Sequence, residues 1–202
     1  MIENFLQFKD QHALETFGEI TMNEYTQMVA DLAKPGTEII TTLNPATAHM
    51  LHMAAGLMGE IAELKEHQLS KVSDSTIIEE LGDIEFYFEG LCLDIPVDMF
   101  TFNREALPTI GIDILIVSAG KLLDYIKKVA IYDKSISTEK YVTQLVLVRN
   151  CIDRLHTQYG LTQEEVREHN MNKLLKGENA RYKEGSYSDT AAIERSDKKN
   201  QH

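Results

Sequence analysis

Apolar residues along this chain recur at spacings of three and four. Leu57, Ile61 and Leu64 make one such stripe, and Ile77, Leu81, Ile84 and Phe88 make another. A helix of 3.6 residues per turn gathers positions so spaced onto one face, and the strict alternation of a half-buried strand is almost absent. The pattern predicts an all-α fold. After an ambiguous stretch over residues 1–20, with a short helix around Glu3–His12, Thr21-Met22-Asn23-Glu24 has the form of a capping box. It should open a helix that stops near Lys34-Pro35-Gly36. Residues 37–43, rich in β-branched side chains, read as a connector. Asn44-Pro45 supplies an N-cap and an N1 proline for a long helix, and residues 70–75 form a polar break where the chain can reverse. The next helix begins near 74–76 and runs to about Asp94, before Pro96, and residues 95–109 read as a loop or short helix. Further helices are expected from about Ile110 to Tyr132, from about Ser137 to Tyr159 with Gly160 as the stop, and from a second capping box at Thr162–Glu165 to near Gly177. The expected architecture is a helical bundle of five to six helices around an antiparallel four-helix core. Its domain covers residues 1–177, and a polar, partly structured C-terminal arm, phosphate-contacting at its start, covers 178–202.

The two hairpins of that core invite comparison. Gly59-Glu60-Ile61-Ala62-Glu63-Leu64 can be laid over Gly120-Lys121-Leu122-Leu123-Asp124-Tyr125, and Glu80–Asp83 then falls on Gln144–Leu147. Two degenerate helical hairpin repeats would explain the pairing, with only the first keeping four acids.

Composition narrows the function. At 202 residues and 43% hydrophobic content the chain can bury a real core. Its formal charge of −12 argues against a nucleic-acid polymer as partner, because phosphate backbones need a positive face. A nucleotide is still compatible, since a metal ion can bridge an acidic protein to an acidic ligand. Eight of the twenty Lys and Arg fall between Arg167 and Lys199, so direct phosphate contacts are expected toward the C-terminus. Cys92 and Cys151 sit in apolar helical contexts and read as core thiols. The first residues carry no basic-then-apolar leader pattern, and the apolar run Ile114–Val117 is far too short to span a bilayer. A cytoplasmic protein without membrane contact is expected.

The chemistry concentrates in the acids. Glu60 and Glu63 lie three residues apart, as do Glu80 and Asp83, and sixteen residues separate the two pairs. Positions i and i+3 share one side of a helix, so two antiparallel helices could bring four carboxylates face to face. Such an oxygen-only site suits Mg²⁺. An isolated E-x-x-E is compatible with a solvated helix face. These pairs border the apolar stripes, and carboxylates packed without counter-charges repel one another unless a divalent ion joins them.

These residues also resemble a known family. Ala55–Leu64, followed by Glu79-Glu80-Leu81-Gly82-Asp83-Ile84, is similar to the MazG-type all-α nucleoside triphosphate pyrophosphohydrolases, marked by E-x-x-E, a spacer and E-x-x-D. Asn170-Met171-Asn172-Lys173-Leu174 and Arg181–Ser188 resemble that family's third block, and Ala191–Arg195 resembles the tail of some phage-encoded members. Where the family usually has Pro after its Arg-Tyr pair, Lys183 stands here. The segment from Tyr182 to Tyr187 also resembles the Gly-Tyr-Lys-x-Gly-x-Tyr segment of the dimeric dUTPases of the same superfamily.

The resemblance implies hydrolysis of a (deoxy)nucleoside triphosphate between the α and β phosphates, for nucleotide-pool control. It implies Glu60, Glu63, Glu80 and Asp83 as ligands of Mg²⁺, with Mn²⁺ able to substitute. Glu63, with Glu60 as the other candidate, would orient or deprotonate the attacking water. Asn170, Lys173 and Arg181 would hold phosphates, Tyr182 would stack or hydrogen-bond, and His52 would line the base pocket. Homodimers or homotetramers are implied too. Two alternatives stay open: dUTPase-type activity on the same fold, and a non-catalytic metal-binding helical interaction module. A dinuclear carboxylate oxidase bundle needs Glu-x-x-His pairs, which these acids do not supply.

Overall fold

A computed structural model describes residues 24–70, 74–93, 111–135, 137–182 and 185–195. The expected helix around Glu3–His12, the first three residues of the Thr21–Glu24 capping box and the segment 95–109 lie outside the described residues. Among the described residues the chain is all-helical: α1 Glu24–Leu32, α2 Gly36–Thr42, α3 Pro45–Ser70, α4 Asp74–Cys92, α5 Ile112–Tyr132, α6 Thr138–Tyr159, α7 Gln163–Met171 and α8 Asp189–Glu194. A single π-turn, Asn172–Lys176, extends α7 and ends at Gly177.

The chain divides into two compact units, Met1–Thr41 and Thr42–His202. Within the larger unit, the residues that follow Gly177 remain bonded to the turn before it. Arg181 and Tyr182 donate backbone N–H groups to the carbonyls of Lys173 and Leu174 (3.1 and 2.8 Å), and Ala180 is buried. These bonds tie the start of the arm to the π-turn. In the smaller unit, α1 buries none of its residues and exposes Tyr25, Met28, Val29 and Leu32. α2 stands where a connector was expected. The backbone N–H groups of Glu38 and Ile39 both donate to the Pro35 carbonyl, and the Thr41 hydroxyl donates to Glu38. β-Branched side chains cost a helix only about 0.5 kcal/mol each, which local hydrogen bonding offsets.

The larger unit is a four-helix bundle of two hairpins, α3–α4 and α5–α6. α3 packs on α4 and α5, α6 packs on α5 and α4, and α7 lies against α4. Neighbours run antiparallel: Met53 meets Gly90 across α3 and α4, and Lys65 near the end of α3 pairs with Asp113 at the start of α5 (2.8 Å). The stripes read from the sequence form the core. Leu57, Ile61, Leu64, Ile77, Leu81, Ile84 and Phe88 are all buried, against Leu115, Leu122, Ile126, Leu145, Ile152 and Leu155. Each such side chain contributes about 1.5–3 kcal/mol of burial. Gly56 makes the α3–α4 approach possible, because a Cβ there would overlap the Tyr87 ring.

The ends are punctuated as expected. Asn44 caps α3 by accepting from the Thr47 N–H (2.9 Å), and Thr162 and Glu165 form the reciprocal capping box of α7. Gly160 closes α6 in the left-handed region at φ 66°. Cys92 and Cys151 form no disulfide, and burial pushes their thiols up to about 12 and about 11. No helix among the described residues is long and apolar enough to cross a membrane.

Candidate functional site

The i, i+3 spacing on α3 and the register of the hairpin bring three carboxylates together. Ligand oxygens of Glu60, Glu63 and Glu80 all lie within 4.8 Å of one another. Glu80 is buried, Glu60 half-buried and Glu63 exposed, so the cluster runs from the bundle's interior to its surface. Among the described residues no Lys or Arg pairs with these three; the nearest basic atom is Nδ1 of His67, 3.6 Å from Glu80.

The electrostatic consequence is large. Burial first, then the charges of Asp83, Glu63 and Glu80, push the Glu60 carboxyl up to about 8. Burial and Glu63 push Glu80 up to about 7, while a hydrogen bond from Glu60 works the other way. Near neutral pH the cluster therefore retains protons that carboxyls in water would have lost. Close, oxygen-only and, among the described residues, unpaired with any Lys or Arg, it offers the donor set that a hard divalent ion such as Mg²⁺ takes.

Asp83 does not join the three glutamates, although the spacing suggested that it would. Lys173 Nζ lies 2.6 Å from each of its carboxylate oxygens, and Asn170 donates to it from 2.8 Å. Lys173 satisfies Asp83, whereas no Lys or Arg among the described residues pairs with the three glutamates. Asn170 and Lys173, expected to face phosphate, thus engage a site carboxylate. Lys173 also lies 3.6 Å from Glu79, a buried acid that the motif contained but to which no role was given. Gly82 permits this approach of α7, since a Cβ there would sit 2.9 Å from the Asn170 Cβ.

The remaining candidates share one cleft. A cavity of about 700 Å³ is lined by Glu60 and Asp83 together with His52, Tyr87, Arg181 and Tyr182. His52 and Tyr87 meet edge to face at 6.1 Å, and Tyr182 and Tyr187 lie 6.0 Å apart. Burial and the charges of Glu60 and Asp83 raise the Tyr87 hydroxyl, so it stays protonated as a donor. An acidic edge, a guanidinium and an aromatic wall suit a ligand that carries phosphate at one end and a ring at the other.

Sequence reasoning missed a second carboxylate cluster. Glu85, one turn from Glu80 on α4, is buried and accepts hydrogen bonds from Arg149 (2.9 Å) and Arg167 (2.9 Å), with His156 Nε2 at 3.5 Å. Burial alone would push this carboxyl up; the two guanidiniums hold it below the usual range. Burial lowers the His156 imidazole. One signal was available: Glu85 interrupts the apolar stripe Leu81–Ile84–Phe88, and a charge at a core position requires a buried partner.

No family model matches the chain, and neither a curated protein nor a solved structure matches it.

Proposed function

We propose that this chain is a nucleoside triphosphate pyrophosphohydrolase, which splits a (deoxy)nucleoside triphosphate between the α and β phosphates into monophosphate and pyrophosphate. The observation that carries the reading is the gathering of Glu60, Glu63 and Glu80, with no Lys or Arg of the described residues paired to them, and with Glu60 lining a cleft that also holds Arg181 and Tyr182. The motif resemblance supplies the substrate class. Glu60, Glu63 and Glu80 would hold Mg²⁺, or Mn²⁺ in its place, which would supply neutralisation of triphosphate charge and acidification of water.

This chain's own groups do the rest. Glu63, on the exposed side of the cluster, orients the attacking water and accepts its proton. Glu60, half-buried behind it, is the second carboxylate within reach. Arg181 meets the phosphates as a planar, permanently charged donor. Tyr182 and His52 contact the sugar or base, and their wall sets which ring fits. Such an activity would serve nucleotide-pool control.

The test is a Mg²⁺-dependent hydrolysis panel over the eight common ribo- and deoxyribonucleoside triphosphates plus dUTP, with products separated by chromatography. Monophosphate and pyrophosphate are the expected products. The dUTP arm decides between a broad pyrophosphohydrolase and the dUTPase-type variant suggested by the Tyr182–Tyr187 segment. Diphosphate with orthophosphate would place attack at a different phosphorus and overturn the reading. No turnover with Mg²⁺ or Mn²⁺ would leave the non-catalytic metal-binding module. Sedimentation of the same preparation reads the dimer or tetramer that the resemblance implies.

A further inference from the structure

Resting on that reading, we propose that Lys173 is an exchangeable counter-ion of the carboxylate site. Its ammonium holds Asp83 until a divalent ion and a triphosphate arrive. It then passes to the phosphates, and Asp83 turns to the ion as a fourth carboxylate.

Three observations carry this. First, the Lys173–Asp83 contact is short to both oxygens, and both side chains are largely buried, with 9% and 14% of their surface exposed. An ammonium so placed brings a cation to the edge of the site. It pairs with Asp83 and lies 3.6 Å from Glu79, and Asp83 lines the cleft together with Glu60. Lys173 therefore occupies the carboxylate that a divalent ion at the three glutamates would reach next. Second, the lysine sits beside the cleft, not apart from it. Asp83 lines the cleft with Arg181, whose backbone N–H donates to the Lys173 carbonyl (3.1 Å). The two cations are thus coupled through one hydrogen bond at the π-turn, a kind of helix irregularity that recurs at functional sites. Third, the side chain suits exchange. Lysine is a compact point charge on a flexible stem, and it can change partner without the planar matching that a guanidinium needs.

Repulsion supplies the driving force. A divalent ion among the glutamates raises the cost of an ammonium a few ångströms away, while an incoming triphosphate offers that ammonium a fresh anion. A fixed structural pair would behave in the opposite way. If Lys173 merely oriented Asp83 for the metal, its removal would loosen a ligand and weaken binding.

The two cases separate in a titration of the full chain with Mn²⁺ alone, without nucleotide, following the free-ion signal by electron paramagnetic resonance. Lys173→Met should bind Mn²⁺ roughly tenfold tighter than wild type, the order expected when a unit charge near a divalent ion is removed from a partly screened site. Lys173→Arg should bind as wild type does. With nucleotide present, Lys173→Met should hydrolyse more slowly at a raised KM. Helical circular dichroism and the melting curve establish that each variant is folded. In an Asp83→Asn background the gain from Lys173→Met should shrink, because the exchanged carboxylate is gone. Equal or weaker Mn²⁺ binding by Lys173→Met, or an undiminished gain in the Asp83→Asn background, overturns the exchange while leaving the metal site standing. Failure of wild type and all variants to bind Mn²⁺ removes the proposed function as well.

Discussion

Glu80 and Glu85 lie little more than a turn apart on α4, and 3% and 2% of their surfaces are exposed. Their surroundings are opposite. Glu85 is enclosed by Arg149 and Arg167, and its carboxyl is held low. Glu80 faces Glu60 and Glu63, and its carboxyl is pushed up to about 7. Burial is the same in the two cases, so burial alone does not separate a paired charge from an acid packed among acids. Compensation does. A buried ion pair is complete within the fold, whereas a buried acid surrounded by acids requires something from outside it.

The largest expected effect breaks the comparison on the Glu80 side. Glu80→Gln removes a proposed metal ligand and also relieves repulsion. Activity should fall by roughly two orders of magnitude or more, beyond the loss typical for groups that only support a ligand. Helical content and melting temperature should hold or rise. Turnover near wild type would rule out this carboxylate as a ligand. Arg149→Met breaks the other side by leaving Glu85 buried with one guanidinium fewer. It should cost about 3–5 kcal/mol in urea unfolding with little direct effect on turnover per folded molecule. A cost below about 1 kcal/mol would place the pair among ordinary surface bridges.

The two sites also titrate with opposite sign. Glu60 and Glu80 have folded values raised to about 8 and about 7 from 4.5, so between these limits the native state binds more protons than the unfolded one. Stability from this pair is therefore greatest at low pH and is lost as pH rises from about 4.5 to 8. Glu85 has a lowered folded value, so its contribution is present above the unfolded value and lost as pH falls through the folded one. His156, lowered by burial, also disfavours acid below about 6.5. Subtracting the curve of a Glu60→Gln, Glu80→Gln variant from that of wild type isolates the first pair. In the metal-free protein that difference should fall between pH 5 and 8 by about 2 kcal/mol, the full shifts being discounted for solvent screening of a half-buried pair, and Mg²⁺ should abolish it. A flat difference curve would show that the glutamates are solvated.

Most of the fold could be read from local pattern. The stripes at three- and four-residue spacing became the core, and the caps at Asn44, Thr162 and Gly160 fell where the side chains announced them. The glutamate triad was legible for the same reason: an i, i+3 pair on α3 needs only one further acid across the hairpin. What local pattern could not supply was partnership. Arg149 stands 64 residues from Glu85 and Lys173 stands 90 from Asp83, and no short-range rule pairs groups at such separations. α2 was missed for a different reason, because a weak β-branched preference yielded to hydrogen bonding around Pro35.

The smallest effect concerns a third kind of acid. Asp124, which the sequence alignment of the two hairpins sets against Glu63, is on α5 and only partly covered. It pairs with Lys127 at 3.0 Å and with Lys128 one turn on, and hydrogen bonds from these lysines hold its carboxyl below the ordinary range. Its neighbours in the same comparison are Lys121, Gln144 and Leu147, and among the described residues no acid cluster includes it. An exposed pair of this kind gains little in water and loses that little to side-chain ordering and salt. Asp124→Asn should therefore leave turnover, Mn²⁺ affinity and the melting temperature unchanged within error. A clear drop in activity would mean that the second hairpin still takes part in the chemistry, and that acid pairing alone does not separate the two halves of the bundle.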